Sequence, residues 1–351
     1  MGKMFTPVYT ISNKALNEIA EIESIRTNVA GSRILPERTV ELHYRATVEQ
    51  VHSSTSIEGN PLTLKQVDSV LKGRGLTRHA YAETEVRNYK DALDFIDKRK
   101  RDSKPLEYDD LLTLHRLAMR GLLADEKTGA LRKGMVYIVD QDDKVKYTGP
   151  QARYVQKKLE GLVAWQKTAI GSVHPCLAAA ILHYQLATIH PFADGNGRTA
   201  RLATMLYLGI CGYDFNGSIV LDSYYAQERG EYYIALHECQ GERYREGNDL
   251  TPWVDYFITG FLSSAKILWA EVAIMAAFQQ PLAQKQINRD DADILNYACQ
   301  FGSISLSEAE GILPGMSRRT LQRRLAVLVE SGYLVKTGAA RSVRYDWIQG
   351  K

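Results

Sequence analysis

Apolar residues recur at three- and four-residue steps through most of the chain, and this spacing predicts a mainly α protein. Leu177, Ile181 and Tyr184 are one example, because residues spaced in this way share one face of a helix. The predicted helices span residues 14–29, 37–57, 63–72, 80–100, 107–121, 151–168, 175–189, 198–209, 223–239, 251–270 and 271–279.

Only two segments have the pattern of a β-hairpin, in which two apolar arms flank a turn. The first, at 134–147, has an apolar arm at 135–139 and a polar turn at 140–143. The second, at 333–345, follows three predicted helices, at 291–301, 305–313 and 317–331. Three helices followed by a two-stranded wing is the order of a winged helix.

The chain is longer than one hydrophobic core usually serves. Its 351 residues exceed the limit of about 250–300 residues, so two or three packed units are expected. A polar break near 280–289 predicts the main boundary. The expected units are an N-terminal helical region at 1–105, a core at 106–280 and a winged helix at 289–351.

Composition excludes several classes of protein. With 45% apolar and 24% charged residues, the chain is neither disordered nor fibrous. The net charge of +3 is too close to balance to indicate nucleic-acid binding by the whole chain. The four cysteines form no Cys-x-x-Cys pair, which favours free thiols and a cytoplasmic location. The longest apolar stretch, 267–278, falls short of the roughly 20 residues that span a bilayer, so no membrane partner is expected.

The segment 190–201 brings together the groups that phosphoryl-type transfer requires. A glycine-rich loop that opens a helix at Arg198 directs several backbone N–H groups toward one anion. Arg198 and Arg201 share a helix face and can bind further phosphate oxygens. Asp194 offers a hard oxygen ligand for Mg²⁺, and His190 can accept a proton at neutral pH. Each of these features is more often structural when it occurs alone.

The string His-x-Phe-x-Asp-Gly-Asn-Gly-Arg-x-x-Arg resembles the signature of the Fic (Fido) family, enzymes that transfer AMP from ATP to protein hydroxyls. The resemblance implies that His190 is the general base, that Asp194 is the Mg²⁺ ligand and that Phe192 anchors the loop. Gly197 stands where the phosphorylating branch of the superfamily has lysine, which favours adenylyl transfer. The implied nucleotide-binding residues of the signature are Asp194, Gly195, Asn196, Gly197, Arg198, Thr199, Ala200 and Arg201.

The hairpin at 134–147 lies where the family carries its flap, which binds a target peptide by strand addition. The resemblance implies that four flap residues line the nucleotide side and that a tyrosine pair with an amide flanks the adenine. A plain surface ribbon and a pair of core tyrosines are the alternatives. These candidate residues are Val136, Tyr137, Ile138 and Val139 in the flap, and Tyr232, Tyr233 and Gln240 downstream.

A second motif ends the predicted helix at about 37–58. Glu58 lies in the last turn, near the negative end of the helix dipole, at a cost of about 0.3–1 kcal/mol unless a cation compensates. Gly59 fits a helix C-cap. Ser54, Glu58 and Gly59 resemble the family's inhibitory pattern, whose glutamate pairs with the last arginine of the signature, here Arg201. That pairing would leave ATP in an unproductive pose, whereas the alternative is an exposed glutamate beside a cap.

The winged-helix segment 314–345 carries seven basic residues and one acidic residue. This excess of +6 suits contact with a DNA backbone, although winged helices also dock proteins. DNA and a second copy of the chain are therefore candidate partners.

The sequence as a whole predicts an adenylyltransferase that modifies tyrosine, threonine or serine hydroxyls. ATP is the expected substrate, Mg²⁺ the expected cofactor, and a target protein on the flap at 134–147 the expected partner, with self-modification as well. Glu58 is the expected inhibitor. The alternatives are a DNA-binding regulator whose Fic-like core senses nucleotide, and a hydrolase that removes AMP from a modified protein.

Overall fold

The computed structural model describes residues 5–32, 34, 36–76, 79–139, 144–277, 288–338 and 343–348. The described residues form two compact units. The first lies within residues 1–30 and 40–266, and the second lies within 31–39 and 267–351. The linker predicted near 280–289 lies almost entirely outside the described residues.

Helices make up most of the chain up to residue 277, as the apolar spacing predicts. They are α1 (Asn13–Gly31), α2 (Pro36–Ile57), α3 (Leu64–Leu71), α4 (Ala80–Arg99), α5 (Tyr108–Met119), α6 (Ala152–Ala169), α7 (Pro175–Ile189), α8 (Asn196–Ile210), α9 (Leu221–Gln227), α10 (Arg229–Gln240) and α11 (Thr251–Ala277).

Helix α7 lies at the centre of the first unit. Nearly all of its residues are buried, because apolar and small side chains cover every face. Helix α8 packs along it, and Trp253 of α11 donates its indole N–H to the carbonyl of Ala180 at 2.7 Å. The loop between α7 and α8, which carries the signature, is therefore held by well-packed helices at both ends.

The predicted hairpin is present as strands β1 (Tyr137–Val139) and β2 (Val145–Thr148), which pair antiparallel. The turn predicted at 140–143 lies outside the described residues. At the far side of β2, the N–H of Thr148 donates to the carbonyl of Glu242, and the carbonyl of Thr148 accepts from the N–H of Tyr244. Among the described residues, no strand pairs with the outer edge of β1, so that edge is open to an added strand.

Three predicted helices are wrong in their limits. The helix predicted at 223–239 is two helices, α9 and α10, which meet at Glu228 with φ −120° and ψ 51°. Apolar spacing continues on both sides of this break, so periodicity alone does not reveal it. The helices predicted at 251–270 and 271–279 are instead one helix, α11.

Helix α11 also corrects the expectation that the longest apolar segment is too short to span a bilayer. By length and composition, α11 is long and apolar enough to cross a bilayer, the single such helix among the described residues. The apolar stretch at 267–278 covers only the C-terminal part of this helix. Further apolar residues lie on the other side of Lys266. Half of its apolar window is buried within the protein, with Trp253, Phe257 and Phe261 wholly enclosed, which is the pattern of a core helix.

The second unit has the element order expected for a winged helix. Its elements are α12 (Arg289–Phe301), β3 (Ser303–Ile304), α13 (Leu306–Ile312), α14 (Arg318–Glu330), β4 (Leu334–Thr337) and β5 (Arg344–Trp347). The three strands form an antiparallel sheet in the order β3-β5-β4. Strand β3 was not predicted, because two residues are too few to show alternation. Asn288, Ser305 and Ser317 cap the three helices with their side chains, and Leu295, Leu321, Leu325 and Leu328 lie in the core.

Candidate active site

The signature loop joins two helix ends in unusual backbone conformations. His190 caps the C-terminus of α7 with φ 51°, and Gly195 caps the N-terminus of α8 with φ 72°. A Cβ on Gly195 would lie 2.5 Å from the sulfur of Met119, so only glycine fits there. Asn196 closes the loop with two hydrogen bonds to the backbone of Phe192, accepting from its N–H at 2.8 Å and donating to its carbonyl at 3.0 Å.

A histidine outside the signature supports this loop by ring stacking and a hydrogen bond. The His115 ring stacks on Phe192, with centroids 3.8 Å apart and planes at 7°. Its Nδ1 accepts from the N–H of Gly129, so its Nε2–H donates to the carbonyl of Asp194 at 3.0 Å. Burial lowers the pKa of His115 to about 4, which keeps the ring neutral. The anchoring position implied for Phe192 is thus fully buried, and its ring partner His115, which lies outside the signature, was not predicted.

His190 is arranged as a base. Its Nδ1 lies 3.1 Å from the carbonyl of Ala187, to which an Nδ1–H donates, and this leaves the lone pair on Nε2. Burial lowers the pKa of the imidazole below its usual value, so the ring is neutral at pH 7. A neutral ring with a free Nε2 can accept a proton from an incoming hydroxyl.

The anion site lies in the first turn of α8, a helix that begins two residues earlier than predicted. The helix begins at Asn196, and its first internal hydrogen bond runs from the N–H of Thr199 to the carbonyl of Gly195. The N–H groups of Asn196, Gly197 and Arg198 therefore have no partner within the helix and are available to a phosphate. The side chains of Thr199 and Ala200 face the interior, so these two residues offer no side chain to a nucleotide.

Asp194 is exposed at the edge of this turn, and one of its carboxylate oxygens accepts from the N–H of Gly195 at 2.6 Å. In the described part of the chain, no group of three or more acidic, histidine or cysteine side chains could hold a metal. A single carboxylate beside free N–H groups suits Mg²⁺, which keeps several waters and takes its other ligands from phosphates.

Both signature arginines are buried and paired with carboxylates. Arg198 Nη1 lies 2.6 Å from Glu85 of α4, which also accepts from the side-chain amide of Asn60 at 2.7 Å. Arg201, whose side chain is 1% exposed, lies 2.8 Å from Glu58 and 3.4 Å from the buried Asp222. Arg198 is therefore not the free clamp that was expected.

Each arginine nevertheless keeps an N–H group without a partner, namely Nε of Arg198 and Nη1 of Arg201. A Cβ on Gly197 would lie 3.2 Å from that Nη1 and 2.5 Å from an oxygen of Glu58. The carboxylate of Glu58 thus lies against the first turn of α8, where an anion is favoured.

The end of α2 places Glu58 in this position. The N–H of Asn60 donates to the carbonyl of Thr55 and the N–H of Gly59 donates to that of Ser56, which is a Schellman turn with Gly59 at φ 94°. Burial favours the neutral acid, but the guanidinium of Arg201 outweighs it and lowers the pKa of Glu58. The structure therefore brings together Glu58 and Arg201, and the charged carboxylate of Glu58 lies against the first turn of α8.

The flap residues do not form one surface. Alternate residues of a strand face opposite sides, so Val136, Tyr137, Ile138 and Val139 cannot all line the nucleotide. Tyr137 is more than half exposed, whereas Val136 packs over Gly149. The side chain of Val139 lies outside the described part of the structure.

The residues implied to flank the adenine are likewise partly buried and partly exposed. Tyr232 is buried, with its hydroxyl 2.9 Å from Nε2 of His183, and Gln240 is buried, with its amide donating to the hydroxyl of Thr188 at 3.0 Å. Tyr233 is the exposed member of the tyrosine pair, with Arg229 over its ring at 5.6 Å. Tyr232 therefore lies in the core, as the alternative of a core tyrosine predicts. Adenine contact by all three residues stays a prediction.

The basic segment of the second unit is partly neutralised by acidic residues earlier in the chain. Residues 289–351 contain nine basic and seven acidic side chains, so the excess of +6 at 314–345 overstates the charge of the unit. Among the described residues, Arg319, Arg323 and Lys336 remain exposed without an ion pair, and Arg341 lies outside them. The pairs are Arg318–Glu310, Arg324–Asp290, Arg324–Asp291 and Arg344–Glu308.

Comparison with known proteins places this segment in a family. Residues 105–208, which include His190, the signature loop and α8 almost to its end, match the model of the Fic/DOC family. The chain carries a Fic domain. It is 28% identical over 258 residues to protein adenylyltransferase fic-1 of Caenorhabditis elegans, covering 71% of this chain and 46% of that protein. It is 30% identical over 217 residues to protein adenylyltransferase Fic of Drosophila grimshawi, covering 60% and 40%. The chain thus spans less than half the length of these curated relatives.

Two solved structures resemble the Fic-domain chain. A Fic family protein from Desulfovibrio desulfuricans G20 is 26% identical, with a TM-score of 0.64 over 99% of each chain. A fragment of Fic-1 from C. elegans is 25% identical, with a TM-score of 0.55 over 72% of this chain and 71% of that one. The first likeness extends over the second unit as well as the Fic domain.

Proposed function

We propose that this Fic-domain protein is a protein adenylyltransferase that moves AMP from ATP to a tyrosine, threonine or serine hydroxyl, and that Glu58 restrains it. The observation that carries the proposal is the placement of a neutral His190 one short loop before a helix turn with three free N–H groups. The adenylyltransferase names of the relatives support the same chemistry.

In the proposed reaction the target hydroxyl attacks the α-phosphorus of ATP. Nε2 of His190 takes the hydroxyl proton, the new oxygen–phosphorus bond forms, and the bond to the departing diphosphate breaks. The first turn of α8 and the free N–H groups of Arg198 and Arg201 stabilise the negative charge on the phosphates. Asp194 would hold a Mg²⁺ ion, which supplies further charge neutralisation.

Glu58 would restrain this reaction in two ways. Its carboxylate occupies Arg201, so the guanidinium lacks one donor for the nucleotide. It also puts a negative charge against the turn that binds the phosphates. An ATP molecule in the site then meets repulsion where it needs attraction, which favours a displaced and unreactive pose.

The target would bind to the flap. The outer edge of β1 offers unpaired backbone groups, and an extended segment of a target could add there as a strand. Such a segment could belong to another protein or to a second copy of this chain, which would account for self-modification. We also propose a reducing, cytoplasmic location, because all four cysteines are free.

The decisive experiment compares ATP labelled at the α-phosphate with ATP labelled at the γ-phosphate. The Glu58→Gly protein is incubated with each label and a cell lysate, and mass spectrometry locates AMP on the modified hydroxyl. We expect transfer of the α-label only, and a loss of about 10²-fold or more when His190→Ala is added, with ATP affinity within threefold. Transfer of the γ-label would make the chain a kinase. Loss of AMP from the labelled target on addition of wild-type protein would favour the hydrolase alternative.

A further inference from the structure

Arg132 lies at the base of the flap and has an unusual set of partners. The residue is 7% exposed, yet within the described residues its guanidinium forms no ion pair. It donates instead to backbone carbonyls on both arms of the flap, through Nη1 to Gly134 at 2.6 Å and through Nη2 to Pro150 at 2.6 Å. One planar group therefore ties the beginning of the hairpin to its end.

The same guanidinium reaches the signature loop. Its Nε donates to the carbonyl of His190 at 2.8 Å, and Nη2 also lies 3.4 Å from the carbonyl of Ile189. The backbone N–H of Arg132 donates to the carbonyl of Pro191 at 3.0 Å. The carbonyls of Ile189 and His190 belong to the end of α7, where they have no partner within the helix and where the helix dipole favours a cation.

Burial of the Arg132 guanidinium has a free-energy cost. A buried cation without a carboxylate carries a large desolvation cost, which charge-assisted hydrogen bonds to carbonyls offset. His190 has a positive φ, and a non-glycine residue in that conformation persists only when its surroundings hold it. The bonds from Arg132 to the carbonyls of His190 and Pro191 hold the backbone that follows this strained conformation, and the contact with the carbonyl of Ile189 lies just before it.

We propose that Arg132 is a positioning residue that fixes the flap relative to His190, so that a hydroxyl on a target strand lies within reach of Nε2. The inference rests on the proposed adenylyl transfer and adds to it a residue that lies outside the signature. Lysine cannot replace the arginine, because only a planar fork can bind three separate segments at once. A misplacement of about 1 Å between reacting groups can lower a rate by about 10²-fold.

The test uses the Glu58→Gly protein as parent. Arg132→Met fills the volume without donors, Arg132→Ala leaves a space, and Arg120→Met is the control, since Arg120 is exposed and pairs with Asp91. We expect AMP transfer to fall by about 10²-fold in both Arg132 variants and to stay within twofold in the control, with ATP affinity within threefold throughout. Methylguanidinium should restore transfer in Arg132→Ala but not in Arg132→Met, which a general loss of stability would not produce.

Hydrogen exchange provides a second readout that does not depend on transfer. In Arg132→Met, exchange should accelerate at 134–150 and 189–191 and stay unchanged in α11. If that variant does not fold, Arg132→Lys takes its place, with an expected loss of transfer of at least tenfold. Transfer within threefold of the parent, equal loss of ATP affinity, or unchanged exchange in both segments would overturn the proposal. A parent that transfers no AMP would refute the adenylyltransferase, while the exchange measurement would still decide the role of Arg132.

Discussion

Replacing Glu58 by glycine is the sharpest test of the proposal that this residue restrains the Fic domain. In the structure one carboxylate oxygen lies 2.8 Å from Nη2 of Arg201, and the side chain of Glu58 is 27% exposed. A hydrogen bond between charged groups contributes about 1.5–3 kcal/mol, and partial exposure places this pair toward the lower end. Loss of about 1.5 kcal/mol corresponds to about a tenfold change in an equilibrium or a rate.

The substitution should free the arginine without disordering it. Arg201 still donates to the hydroxyl of Ser54 at 2.7 Å and to its carbonyl at 3.0 Å, and Asp222 still balances its charge. Position 58 lies inside the Schellman turn, whose hydrogen bonds join backbone groups of Thr55, Ser56, Gly59 and Asn60, so glycine at 58 leaves them intact. We therefore expect AMP transfer to rise at least tenfold, while the free energy of unfolding falls by no more than about 1.5 kcal/mol, the contribution of the lost pair.

The assay is the initial rate of label transfer from α-labelled ATP, measured together with ATP affinity by calorimetry. Glu58→Gln keeps the shape of the side chain and removes its charge, so its rate should fall between those of wild type and Glu58→Gly. Glu49→Gln is the matched control, because Glu49 is an exposed glutamate on the same helix. A Glu58→Gly rate within twofold of wild type would refute the reasoning and leave Glu58 as part of a helix cap.

Three further predictions concern charged residues. Glu85→Gln should lower the free energy of unfolding by about 3 kcal/mol in urea denaturation, because it breaks a buried ion pair; an unchanged midpoint would contradict this. The pKa of Glu58 is lowered from 4.5, so its charge is present above the ordinary value and is lost only as the pH falls through the lowered one. The ratio of Glu58→Gly to wild-type rates should therefore be constant between about pH 6 and 8, and a falling ratio in this window would contradict it. If the second unit binds DNA, reversing Arg319 and Arg323 to glutamate should abolish a gel shift whose affinity falls with salt at about −0.9 per phosphate, whereas a shift unaffected by the reversals would point to a protein-docking role.

The parts of the site that are close in sequence could be predicted, because local spacing fixes them. His190 follows a helix with apolar residues on all sides, and Asp194 and Gly195 follow within five residues, so any fold that keeps the two helices keeps these groups together. Gly59 was predicted as a cap for the same reason, since its conformation depends only on the turn that it closes.

The partners from distant helices could not be placed by spacing. Glu85 lies 113 residues before Arg198 in the sequence, and only the packing of α4 beside α8 brings them together. One local signal was available, because Glu85 lies on the same face of its helix as Ala82, Tyr89 and Ala92, which are buried. A carboxylate on an otherwise apolar face of a helix requires a buried cation.

Arg132 and His115 gave no such signal. Each acts through backbone carbonyls or a stacked ring, and a sequence does not reveal which carbonyls a fold leaves without partners. The predicted excess of positive charge in the second unit was too large for a related reason. Arg324 pairs with Asp290 and Asp291, which lie before the segment whose charge was counted.

The exposure of the three carboxylates around the two arginines explains why Glu58 is suited to be the one that leaves. Glu85 and Asp222 are almost wholly buried, so withdrawal of either would leave a charge uncompensated in the core, at about 3–5 kcal/mol. Glu58 lies after the last helical residue of α2, is partly open to water and can rotate away without breaking a hydrogen bond of the turn that holds it. A restraint by this residue would therefore be reversible, and its release would leave both arginines charged and in place to receive a phosphate.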